Sequence, residues 1–133
     1  MATNSLYPKD WIKTAGKDWE RIFLHLQAED LEAAAFFLQQ ALEKYLKAFL
    51  LERGWSLKKI HHLPALLEEA TKYQANLADF GILCERISAY YLTERYPQMV
   101  PSELTQARLK SVIEEALTLV HSLFPGENLK MKS

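Results

Sequence analysis

Gln40, Glu43, Lys44 and Lys47 stand at the i, i+3, i+4, i+7 spacing that puts four side chains on one face of a helix. Two ammonium groups one turn apart suit the oxygens of a phosphate. A glutamine amide can hydrogen-bond a base or a sugar, and the glutamate can orient a lysine or accept from a sugar hydroxyl. The same residues admit a plainer reading, in which Glu43 and Lys47 form an intrahelical i, i+4 ion pair on a solvated or dimer-facing seam. The setting of the stripe is its unusual feature. Leu31, Leu38, Leu42, Tyr45 and Phe49 lie opposite it, while Ala33, Phe36, Phe37, Ala48 and Leu51 crowd its flanks. An ordinary surface helix has a broad polar face, so a narrow polar seam walled by apolar residues predicts a cleft or an interface.

A second group of residues able to do chemistry lies in RISAYYLTERYP, residues 86–97. Arginine contacts phosphate in a bidentate fashion and tyrosine stacks on bases, so Arg86, Tyr90, Arg95 and Tyr96 are candidates. The alternative is tyrosines packed in the core and arginines paired with Glu85 and Glu94. His61 and His62 sit at a helix entrance, where adjacent side chains point in different directions. Neither has a second histidine at metal-ligand spacing, and His25 and His121 stand apart. Phosphate-cradling glycine loops, Ser-x-x-Lys and His-Glu-x-x-His are absent. No metal and no cofactor is expected. Cys84 falls on the apolar side of its helix and reads as a packed thiol rather than a nucleophile.

Five helical segments have to position these groups. The first runs from about Pro8 to Gln27, with Trp11, Ala15, Trp19, Ile22, Phe23 and Leu26 at three- and four-residue steps and Pro8 in the first turn. Asp30 is placed to cap the second, which runs to about Arg53 with Gly54 as its stop. The third spans roughly His62 to Tyr73, with Pro64 in its first turn. The fourth, from about Asn76 to Glu94, aligns Leu77, Phe80, Leu83, Cys84, Ile87 and Tyr91. Ser102 is expected to cap the fifth, which carries Ala107, Leu109, Val112, Ile113, Ala116, Leu117 and Val120 toward the core until Phe124. The predicted fold is all-α, an antiparallel up-and-down bundle of four or five helices. A helix as apolar as the second belongs at its centre or against a second copy. One domain over residues 1–125 is expected, followed by a loose tail at 126–133 that lacks apolar periodicity.

Composition narrows the function classes. Sixteen basic residues against seventeen acidic ones leave a formal charge of −1, so no overall field draws in nucleic acid, although a local basic pocket remains possible. The single cysteine allows no internal disulfide and fits a reducing compartment. Neither a signal peptide nor a run of some 18 apolar residues is present, and the expected setting is the cytoplasm, away from membranes.

Taken together, the AAFFLQQALEKYLKAFLLERG helix, the HHLPALL opening of the third, the YYLTERYP end of the fourth and the SELTQARLKSVIEEAL final helix resemble the HEPN domain. The likeness extends over about Trp11 to Phe124, with Gln40, Glu43, Lys44, Lys47, His62, Leu63, Arg95, Tyr96 and Pro97 on the family pattern. The resemblance implies a helical bundle that often pairs as a homodimer. It also implies association with a small nucleotidyltransferase, frequently in toxin–antitoxin pairs. Many members are metal-independent ribonucleases with an Arg-x(4–6)-His motif near the last helix. Arg86 would need its histidine where Tyr91, Leu92 and Thr93 stand, and Arg95 where Val100, Pro101 and Ser102 stand. That motif is missing, so cleavage is not carried over and no catalytic residue is assigned.

The expected function is a helical module that binds a nucleotide-like ligand, a nucleotidyltransferase partner, or both. Lys44, Lys47 and Arg95 would contact the anion, Tyr96 would stack, Gln40 and Glu43 would line the cleft, and His62 would converge from the neighbouring helix end. The rivals are a divergent ribonuclease toxin using Arg86 or Arg95 with His62, and a purely structural dimeric adaptor.

Overall fold

Pro8 opens α1, Pro8–Gln27, at the position where a missing N–H costs nothing. The computed structural model describes residues 6–95 and 104–132, with residues 91–95 traced by their backbone alone. Trp11, Ala15, Trp19, Ile22, Phe23 and Leu26 are all buried, as their spacing predicts. The chain reverses through Ala28 and Glu29, the latter at φ 60°. Asp30 then caps α2, Leu31–Leu51, its carboxylate accepting from the Ala33 amide at 3.2 Å. Gly54, at φ 85°, closes the C-terminal turn after Leu51, slightly before the expected end at Arg53.

The short connection folds α2 back along α1. Arg21 reaches Phe37, Asp18 reaches Lys44 and Trp11 faces Lys47, so the register falls along one helix as it rises along the other. These two helices are therefore antiparallel. α2 also packs against α3 (Leu63–Thr71), α4 (Gly81–Arg95) and α5 (Gln106–Leu123), which explains its apolar circumference: it is the central helix of the bundle. Leu38, Leu42, Tyr45, Leu46, Phe49 and Leu50 are fully buried on it. Among the described residues there is no strand, and no helix is long and apolar enough to cross a membrane.

Other boundaries differ from expectation as well. The fourth segment begins as a 3-10 turn, Ala75–Phe80, before α4 starts at Gly81. Three residues per turn aligns Leu77 and Phe80, both packed against the core, more closely than an α-helix would. α5 is capped by Thr105, whose hydroxyl accepts from the Arg108 amide at 3.2 Å, and Ala107 is exposed in the first turn while Leu119 enters the core. Ser102, the expected cap, lies outside the described residues. The segment after Pro125 has no helix among its described residues, and several of its groups contact the bundle. Leu129 and Met131 pack against the core, and Trp19 Nε1 donates to the Lys130 carbonyl at 3.1 Å. Two alternating apolar side chains on the core and one indole donor from α1 make these contacts, a pattern too short for helical periodicity to reveal.

Candidate functional site

The polar seam of α2 does not face solvent. It faces α1 and the loop between α2 and α3, where three stretches of chain enclose a cleft of about 960 Å³. Gln40, Glu43, Lys44 and Lys47 all line it, as their common face requires. α1 contributes Asp10, Trp11, Lys13, Thr14, Lys17 and Arg21, and the loop contributes Leu57, Lys58, Lys59 and His61.

Two buried carboxylates pair with cations that line the cleft. Asp18, 1% exposed, accepts from Arg21 Nη1 at 2.6 Å and from Lys44 Nζ across the helix pair. Glu43, 5% exposed, accepts from Lys47 Nζ at 2.9 Å and from Gln39 Nε2 at 3.2 Å, and lies 2.9 Å from His61 Nδ1. Gln39 also donates to the His61 carbonyl at 2.9 Å, while its own oxygen accepts from Gln40 at 2.6 Å. This network ties the α2–α3 loop to the middle of α2. Lys47, 3% exposed, adds a cation–π contact with Trp11, 5.5 Å from the ring centroid. Burial is tolerable here because each charge has an opposite partner and further hydrogen bonds. The predicted Glu43–Lys47 pair thus exists, within a cleft rather than in place of one.

The rim is different in kind. Lys13 and Lys17 are exposed one turn apart on α1, and Lys59 is exposed on the loop. Among the described residues none of the three has a carboxylate within ion-pair distance. Lys58 stands 6.0 Å from the Trp55 ring. The cleft is accordingly basic on a chain whose formal charge is −1.

His62 does not converge on the seam. Its Nδ1 lies 3.2 Å from Ser88 Oγ on α4, and the cleft is lined by His61 instead. Extended backbone at His62 (φ −79°, ψ 110°) sends neighbouring side chains to opposite sides. The side chain of Arg95, and all of Tyr96, lie outside the described residues. Tyr90 is a core residue and Arg86 is exposed on α4. Cys84 is buried, and burial pushes its thiol up to about 12, which keeps it protonated and unreactive. Among the described residues no group of three or more His, Cys, Asp or Glu side chains is placed to hold a metal ion.

Sequence reasoning missed Asp18, Gln39 and the α1 lysines, although two signals were present. Asp18 interrupts the apolar series Trp11, Ala15, Ile22 at a core-facing position, and Lys13, Lys17 and Arg21 recur at four-residue steps.

Four helices packed round a buried central one, with a basic cleft along its polar seam, define an all-α helical-bundle domain. The chain belongs to the HEPN domain family, whose model matches residues 8–124, most of its length. No curated protein and no solved structure matches it significantly.

Proposed function

We propose that this chain is a non-catalytic HEPN module whose α1–α2 cleft binds a nucleotide-like anion. The observation that carries the reading is the basic cleft, of nucleotide size, on a nearly neutral protein. Gln40 lines the cleft, its amide nitrogen donating to Gln39 and its oxygen left to face a base or sugar, and Glu43 orients Lys47. Arg95 and Tyr96, which follow the family pattern, are proposed as further contacts, the guanidinium for an anion and the ring for stacking. The absence of an Arg-x(4–6)-His pair from the sequence favours binding over RNA cleavage. The proposal includes a homodimer acting in the cytoplasm beside a small nucleotidyltransferase partner, as the resemblance implies.

Calorimetric titration of the purified protein with ATP, GTP, UTP and CTP, with and without Mg²⁺, tests the ligand. Saturable micromolar binding is expected, with affinity falling as salt rises. Absence of heat with all four would overturn nucleotide binding. It would favour the adaptor reading, for which the already paired Lys44 and Lys47 are the supporting observation.

A further inference from the structure

We infer that the cleft recognises a chain of phosphates, and that Lys13, Lys17 and Lys59 contact it while Lys44 and Lys47 position the walls. The inference rests on the nucleotide-binding reading and assigns that ligand's subsite. Lys47 is 3% exposed and spends its charge on Glu43; Lys44 is committed to Asp18. A cation already neutralised by a buried carboxylate offers an incoming anion little net attraction, and breaking its pair would take a charged partner from that carboxylate. The rim lysines carry neither restriction. All three residues are exposed, and among the described residues none is within ion-pair distance of an acid.

Their arrangement selects the class of anion. Lys13 and Lys17 lie one turn apart on α1, and Lys59 approaches from the loop, with the cleft between them. A single phosphate is small against a space of about 960 Å³ and engages one side of it. A ligand whose negative charge is spread over several linked groups engages α1 and the loop together. The loop is fixed for this by Glu43 and Gln39, which hold the side chain and the carbonyl of His61 two residues beyond Lys59. The shared chemistry is a di- or triphosphate chain, supplied by a nucleoside triphosphate or by a free inorganic polyphosphate.

The test titrates the full chain with adenosine, AMP, ADP, ATP and inorganic tripolyphosphate. Affinity should rise at least tenfold from AMP to ATP. The Lys13→Ala/Lys17→Ala double variant and the Lys59→Ala variant should each weaken ATP at least tenfold. Their melting curves should match the parent's, because these residues are exposed and none pairs with an acid among the described residues. ATP tighter than tripolyphosphate would identify a nucleoside triphosphate as the source, and equal affinities a free polyphosphate; both support the inference. AMP binding as tightly as ATP, or rim variants that bind ATP like the parent, would overturn it while leaving nucleotide binding intact. Silence with every ligand would overturn both.

Discussion

Glu43 shows how a single residue serves fold and site together. Its carboxylate accepts from Lys47 on the next turn and from Gln39 on the preceding one, and it holds His61 from the loop. Glu43→Ala would leave the Lys47 ammonium, whose side chain is 4% exposed, without its counter-ion. Removing one partner of a buried pair costs about 3 kcal/mol or more. Urea unfolding should therefore show a markedly lower midpoint for Glu43→Ala, with a smaller loss for Glu43→Gln, which keeps an acceptor oxygen. The Glu43–Lys47 pair was readable from i, i+4 spacing alone. The Asp18–Lys44 pair was not, because its members are 26 residues apart and meet only when two helices pack. Lys44→Ala consequently tests folding as much as binding, whereas the rim lysines separate the two.

At the scale of elements, periodicity located the five α-helices of the described residues, since a buried stripe must repeat at the helical period whatever its neighbours are. Ends were harder to place, because they depend on local backbone geometry. Glu29 and Gly54 occupy the same left-handed region after α1 and α2, at φ 60° and φ 85°, and only one of them is a glycine. The Cβ penalty in this region is roughly 1 kcal/mol. Glu29→Gly should accordingly raise stability by about that amount and Gly54→Ala should lower it by a similar amount, as thermal melts of the two variants would check. No Cβ added at Gly54 would meet another atom within 4 Å, so its effect isolates the backbone term. The 3-10 turn at Ala75–Phe80 and the docked segment after Pro125 escaped the helical period because neither has it.

The whole bundle buries two groups that resist ionisation. Burial raises Cys84 from an ordinary 9.0 to about 12, and burial followed by the nearby charge of Glu127 raises Tyr45 above its ordinary 10.0. Both are neutral when protonated, and unfolding returns each to its lower ordinary value. Their contribution to stability is thus complete below pH 9 and is lost as pH climbs from 9.0 through the folded-state values. Melting temperature should fall across that alkaline window, and the decline should shrink in a Tyr45→Phe/Cys84→Ala background. The Tyr45 hydroxyl has no hydrogen-bond partner among the described residues, so its removal leaves no acceptor or donor stranded. The amino-acid sequence alone determined the helical class and the common face of Gln40, Glu43, Lys44 and Lys47, because periodicity within one helix is a local property of the chain. The tertiary structure alone decided that α2 is central, that His61 rather than His62 enters the cleft, that Asp18 neutralises Lys44, and that Lys13, Lys17 and Lys59 have no acidic partner among the described residues. Those outcomes depend on which helix packs against which face, and Coulomb forces between side chains act through the distances that packing sets.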